Sequence, residues 1–341
     1  MRPARRKHSA WSSSGRWMRC SAPHGKVCAT ASSSPSLQFH GKAHSPNHDD
    51  RSPIMPSRLH LAIPPNIARH VISEIQSAFP DASIHPPQTH DEMDAFFKNQ
   101  FGHPDHTADL TLTAYPSALS RAIEAKDIFA PMPAGLPEMR EELLRVGLRE
   151  PLPFFKVVAV VTMLIIHHES VVPPVEGWAD LCRGDLAADV VIPPHNTPAP
   201  MLYAHYMEKL CGEEGRRASA LAQAKLFPQD INKTVDEGTY KAGMVFPAFA
   251  RTFRLGNARA VWPKEGAIAV PLLAFLRKDA PDDALEVLKI IFSSKIQTII
   301  ADNGLFCPIR EGIALFPEMA AHDSRLIWSG WEDYIRLAAL R

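Results

Sequence analysis

Two spacings of apolar residues alternate along most of this chain. The run Leu59-His60-Leu61-Ala62-Ile63 has the apolar density of a strand and stops at Pro64-Pro65. Ile67, Val71, Ile75 and Ala78 then recur at helical spacing up to Pro80, with Asn66 placed to cap the helix start. Residues 82–85 read as a weak second strand, and 91–101 as a helix with Met93, Phe96, Phe97 and Phe101 apolar. Residues 108–113 alternate like a third strand. Strands and helices in this order predict parallel strands joined by right-handed crossovers.

The pattern continues through the middle of the chain. A Pro-rich stretch, Pro131 to Pro153, encloses a helix over 137–146. The longest apolar run, Val157 to Ile166, reads as a buried strand, because its ten residues fall short of the roughly 20 that span a bilayer. Residues 176–181 form a short helical turn, and 188–192 a strand closed by Pro193-Pro194. Thr197 is placed to cap a helix with Pro198 at its first position, burying Leu202, Tyr206 and Leu210. Residues 218–226 are helical by propensity and 240–249 strand-like.

Near the C-terminus, 261–271 read as one strand. A helix follows from Pro281, with Leu285, Leu288 and Phe292 on one face. Its Asp282 and Asp283 meet the positive end of the helix dipole. Ser294 and Gln297 have capping-box spacing for a further helix, and Asn303-Gly304 supply a left-handed stop. Trp328, Trp331, Tyr334, Ile335 and Leu337 mark a last packing helix over 326–340.

Composition narrows the class. An apolar fraction of 45% and a charged fraction of 22% in 341 residues suit a globular protein of two or three domains. Lys+Arg and Asp+Glu are equal at 37 each, so no overall field draws the chain to nucleic acid or membrane. The balance is uneven, since residues 1–54 hold nine Lys/Arg against two Asp. This Ser-, His- and Pro-rich leader is expected to be disordered. It has no apolar core of the length a secretory signal needs. It fits either an organelle transit segment or translation upstream of a true start at Met55. The five cysteines form no CxxC pair and their count is odd, which predicts ordinary buried or free thiols.

Several elements resemble, in order, bacterial ABC-transporter extracellular solute-binding proteins of the iron- and spermidine-type cluster. These are Trp178-Ala179-Asp180-Leu181 ahead of Asp189-Val190-Val191-Ile192-Pro193, and Gly238 with Tyr240-Lys241-Ala242-Gly243-Met244. Pro263-Lys264-Glu265-Gly266-Ala267 and Phe292-Ser293-Ser294-Lys295-Ile296-Gln297, followed by Gly304 to Pro308, continue the series. The likeness covers roughly residues 59–316. It implies an α/β, two-lobed type II periplasmic-binding fold, each lobe a mostly parallel sheet flanked by helices. Lobe one would combine 55–165 with 259–341, and lobe two would be 166–258. It also implies a periplasmic or cell-envelope location, with a cytoplasmic one as the alternative given the leader. The implied action is capture of a small solute by hinge closure for an ABC permease, by a monomer, with no cofactor and no nucleic acid. The family's usual Tyr-Asn after the crossover strand is replaced by His167-His168, and no adjacent tyrosines are present, which departs from its ferric-iron binders.

In open α/β sheets ligands bind beyond the carboxyl ends of strands. Within the implied fold, that rule selects Pro65, Asn66, Tyr115, Ser117, His167, Asn196, Thr197 and Phe246 as ligand contacts. Helix starts at Asn66 and Thr197 would aim N–H groups at an anionic or carboxylate-bearing ligand or a metal complex. Each of these residues can equally be a plain cap or turn. Adjacent strand residues point to opposite faces, so one metal site cannot easily use both His167 and His168. Arg310 can pair with an anion or make a salt bridge between lobes. No nucleophile elbow, dinucleotide fingerprint, phosphate loop or deaminase motif occurs in the sequence. An intracellular enzyme or ligand sensor on the same fold is the alternative.

Overall fold

The computed structural model describes residues 57–85, 93–195 and 197–339. The leader over 1–54, and with it the choice between Met1 and Met55, lies outside those residues. The first section is β1 (Arg58–Ala62), α1 (Pro65–Ala78), β2 (Ser83–His85), α2 (Met93–Gly102), β3 (Leu110–Thr113) and α3 (Pro116–Glu124). Next come α4 (Glu141–Arg145), the long strand β4 (Phe155–His168), β5 (Val190–Ile192), α5 (Ala199–Leu221), β6 (Gln223–Ala224), α6 (Pro228–Asp236) and β7 (Ala242–Val245). The chain then forms β8 (Ala258–Val261), β9 (Ala267–Leu276), α7 (Asp282–Ile291), α8 (Ser294–Asp302), β10 (Cys307–Pro308), α9 (Pro317–Ala321), β11 (Leu326–Ile327) and α10 (Trp331–Ala339). No described helix is long and apolar enough to cross a membrane.

β1 lies between β2 and β3, and all three are parallel. β9 joins this group antiparallel, against β3 on one edge and the first part of β4 on the other. The last part of β4 pairs antiparallel with β7 and β8, and β5 runs parallel to both β7 and β6. One strand therefore serves two groups of strands. Its 14 residues are buried almost throughout, because β4 has neighbours on both edges and helices on its faces.

β4 is irregular at one point. Val157 pairs with Leu273 and Ala159 with Leu272, so Val158 is an extra, bulged residue. Its freed carbonyl accepts the Nε2 amide of Gln297 at 3.1 Å. That amide also donates to the Ile291 carbonyl at 3.3 Å, while Oε1 accepts the Ile309 N–H at 3.0 Å. Gln297 is fully buried, and its capacity goes to stitching β4, α7 and the end of β10 together.

Several local expectations are corrected. The run 261–271 is not one strand: Trp262–Gly266 make a turn between β8 and β9, and the strand then continues to Leu276. Gly266 has φ +116, and a Cβ there would meet the Leu326 carbonyl carbon at 2.8 Å, so the close approach of β11 requires glycine. The N-cap of α8 is Ser293, whose hydroxyl accepts the Ile296 N–H, rather than Ser294. Residues 199–221 are two helical stretches joined across a kink at Gly212 (φ 58, ψ −130), so helices are separate there as expected, but the second begins before residue 218 and ends at Leu221. The last packing helix begins at Trp331, since Leu326 and Ile327 are taken by β11.

Two buried polar groups stand out in the first section. His60 in β1 is 1% exposed. Its ring lies 4.2 Å from the Phe96 ring and meets Phe97 edge-on at 5.9 Å, and neither ring nitrogen has a hydrogen-bond partner among the described residues. Burial, with a lesser contribution from His85, pushes its pKa down to about 4. Asp109 is satisfied by contrast. Its carboxylate accepts the Arg58 N–H at 2.7 Å and a two-pronged contact from the Arg277 guanidinium, joining β1, β3 and the end of β9.

Candidate ligand site

Strand register defines where a ligand can sit. β3 runs toward the middle of β4 from one end: its last residue, Thr113, pairs with Leu273, which is level with Val157. β7 runs toward the same place from the other end, and its last residue, Val245, is level with Leu164. The carboxyl ends of the parallel strands in the two groups thus face each other across residues 158–163 of β4. β10 covers one edge of that stretch through Cys307 and Pro308, opposite Val160 and Ala159.

On the first side, Ala62 and Thr113 are register partners, so the loops after β1 and β3 are neighbours. Pro65 opens α1, and the N-cap is Pro64, not Asn66 as the sequence suggested. A proline at the first helical position fits because that residue's N–H has no intrahelical partner. Asn66 instead spends its side chain on the end of α8, donating to the carbonyls of Asn303 at 3.1 Å and Gly304 at 3.3 Å. Tyr115 is the N-cap of α3; its N–H donates to Thr113 Oγ1 at 3.1 Å and its ring lies 6.2 Å from Phe97. Ser117 is in the first turn of α3, and its carbonyl accepts the Ser120 hydroxyl.

On the second side, β5 and β7 are parallel neighbours and their following loops adjoin. Thr197 does not cap α5 as expected. Both its N–H and its hydroxyl donate to the Pro194 carbonyl, at 3.0 and 2.8 Å, which closes a tight turn, and α5 starts at Ala199 behind Pro198. Asn196 lies outside the described residues. Phe246 follows β7 directly, with ring contacts to Phe249 at 6.4 Å and Phe306 at 6.5 Å. The Phe306 contact bridges the two groups of strands.

His167 is not brought to this place. It pairs with Ala242 at the start of β7 and with Arg259 of β8, is buried in the sheet, and contacts the His168 carbonyl through Nδ1 at 2.9 Å. Arg310 donates to the Phe292 carbonyl at 3.3 Å. Among the described residues, no group of three or more His, Cys, Asp or Glu is placed to hold a metal ion. His205 Nε2 lies 3.2 Å from Ser329 Oγ and 3.7 Å from Asp333 Oδ2. Because the same nitrogen faces both groups, the trio is not wired as a Ser-His-Asp relay.

Sequence reasoning missed the bond from Asn66 to the end of α8, and it missed Phe306. Asn303-Gly304 marks a helix stop, but nothing local shows that the two helix-end carbonyls receive an amide from residue 66.

Two groups of largely parallel strands that share one long strand, with their carboxyl ends opposed, are the plan of a two-lobed binding protein. Solved structures agree. Apo ferric ion-binding protein A of Pasteurella haemolytica superposes with a TM-score of 0.66 at 14% identity, over 84% of this chain and 95% of that one. Iron-bound HitA of Pseudomonas aeruginosa gives 0.64 at 14% identity, over 84% and 98%. The Trichodesmium protein IdiA (FutA), in complex with iron and citrate, gives 0.63 at 15%, over 83% and 96%. At these identities the likeness establishes the fold, which is the type II periplasmic-binding fold. The family model for bacterial extracellular solute-binding proteins matches residues 105–336, and the chain belongs to that family. No curated protein matches it at a significant level. The protein is therefore a solute-binding protein of the ABC-transport kind, not an enzyme.

Proposed function

We propose that a small anionic or carboxylate-bearing solute, or a metal complex of such a solute, is held where these loops meet. One lobe would comprise residues 55–165 with 259–341 and the other 166–258, closing about β4. The observation that carries the reading is the register, which opposes the ends of β1 and β3 to those of β5 and β7 over one stretch of β4. Helix starts give the preference for anions. α1 and α3 both begin there behind a proline at the first or second position, so backbone N–H groups and the positive end of each dipole look toward the bound solute. Pro65, Asn66, Tyr115, Ser117, Asn196, Thr197 and Phe246 are the proposed contacts. His167, at the far end of β7, supports the second lobe instead.

Iron delivered as a carboxylate complex would suit these amides, and the Trichodesmium relative is described with iron and citrate. Closure would tighten two contacts between the lobes, Phe246 against Phe306 and the two-pronged pair of Arg251 with Glu318. The protein would work as a monomer in the periplasm or cell envelope, delivering to an ABC permease.

Thermal unfolding with citrate, ferric citrate, sulfate, phosphate, spermidine and free divalent metals tests this. Ligand at 100 times its Kd should stabilise the native state by about 2.7 kcal/mol. Stabilisation by a carboxylate or oxyanion ligand, weakened in Phe246→Ala, is expected. Stabilisation by spermidine alone, or by none of these, would overturn the anion reading.

A further inference from the structure

The segment 328–334, the turn after β11 and the start of α10, touches elements of both strand groups. Toward the first group its contacts are aromatic and buried. The Trp331 ring meets Phe155, at the start of β4, at 5.1 Å, and its indole N–H donates to the Arg149 carbonyl at 2.8 Å. Tyr334 is buried against Trp328 and Trp331, and its hydroxyl donates to the Ala114 carbonyl, in the loop after β3, at 3.5 Å. α10 also packs along α3. Toward the second group the contacts are polar and come from residues 205–209 of α5. The Ser329 N–H donates to the Tyr206 hydroxyl at 3.1 Å, and His205 Nε2 lies 3.2 Å from Ser329 Oγ. Lys209 Nζ donates to Asp333 Oδ2, while the Arg336 guanidinium donates to Oδ1. Among the described residues, no ring of Trp328, Trp331 or Tyr334 makes a ring contact with α5.

The two sets of contacts differ in what breaking them costs. Parting the aromatic set exposes buried apolar surface. The polar set lies at an edge where Lys209 is half-exposed, and water replaces such bonds at a small net cost. We propose that Ser329 and Asp333, with Tyr206, His205 and Lys209, form a polar clasp that holds the two lobes together and parts when they open about β4. α10 then stays with α3 and the first lobe, and the seam that opens is the one against α5. The clasp rests on the two-lobed reading above but not on the chemistry of the solute. It is separate from the Arg251–Glu318 pair. Through Tyr334 and Ala114 it reaches the loop that carries Tyr115 and Ser117. A solute that prefers the closed arrangement and the clasp support each other, because both add free energy to the same state.

Hydrogen exchange of the full chain without added solute, read by mass spectrometry, tests this. Lys209→Met removes the ion pair at a half-exposed position. Tyr206→Phe removes the acceptor of the Ser329 N–H and keeps the ring. In each variant exchange should rise roughly 3–10-fold at 328–334 and also at 246–250, the remote segment whose Phe246 meets Phe306, and further in the double variant. Lys209→Arg keeps the cation and should match wild type. A rise confined to 328–334 would make these bonds merely local, and a rise spread over the whole chain would make them props of the fold. Either result, no rise at 246–250 in the double variant, or the same rise in Lys209→Arg would overturn the clasp. No solute takes part, so the outcome stands apart from the thermal screen for anions.

Discussion

Acid should unfold this protein partly through a single side chain, His60. The native state holds its imidazole neutral between Phe96 and Phe97, with a pKa of about 4 against an ordinary value of 6.5. A base whose folded pKa is lowered favours folding above its unfolded pKa. That stability is lost as pH falls from about 6.5 toward 4, because the unfolded chain takes up the proton first. The whole shift corresponds to about 3 kcal/mol at 1.36 kcal/mol per unit. Two-state linkage places about 2 kcal/mol of that between pH values of about 7 and 5. His60→Phe keeps an aromatic ring against Phe96 and removes the titration. Urea unfolding of wild type and variant across this range should give curves that converge at neutral pH and diverge in acid, the variant falling less by about 2 kcal/mol at about pH 5. Carboxylates titrate in both proteins and cancel in the difference. Parallel curves would show that the imidazole titrates normally in the folded state, and the reasoning would fail.

Three further outcomes follow from buried polar links. Gln297→Leu leaves the carbonyls of Val158 and Ile291 and the Ile309 N–H unsatisfied, so denaturant unfolding should show a loss of about 3 kcal/mol or more. Asp109→Ala strands the Arg277 guanidinium and the Arg58 N–H, and should cost about 3–5 kcal/mol in the same assay. At Asp236 burial works to raise the pKa, but the N–H groups of Leu255, Ala258 and Asn257 at 2.6, 3.0 and 2.8 Å overcome it and leave the value lowered. Its contribution is present above the ordinary carboxylate pKa and lost as pH falls through the lowered one, so Asp236→Asn should flatten the steep acid limb below about pH 4 and raise hydrogen exchange at 255–258.

Much of the architecture is legible in the chain because it follows from spacing. Ile67, Val71 and Ile75 define α1, although it begins at Pro65, two residues before a cap at Asn66 would start it, and the apolar run around Val157–Ile166 marks β4 because a strand flanked on both edges needs no polar face. What was missed is decided by contacts that spacing does not encode, some of them distant in sequence. Asn66 and Thr197 are the right residue types for helix caps, yet both are engaged elsewhere, one by carbonyls at Asn303 and Gly304 and the other by Pro194. The helix α6 passes unnoticed because its inner face shows little beyond Ile231 and Val235. The turn at Trp262–Gly266 is hidden by apolar neighbours on both sides, and its glycine is explained only by the close approach of β11, which lies beyond α7, α8 and α9 in the chain.

The additional residue at Val158 has a consequence for how this chain tolerates length changes. A strand has parity: odd and even positions look to opposite sides, and one inserted residue exchanges them. Val158 performs that exchange once, so residues upstream of it keep one phase with β9 while those downstream, which carry β7 and β8, keep the other. A single deletion elsewhere between 159 and 163 would turn everything beyond it inside out and move it by about 3.3 Å. Related chains should therefore vary more freely in length at exposed turns such as 133–136 and hold a constant residue count from Val158 to Leu164.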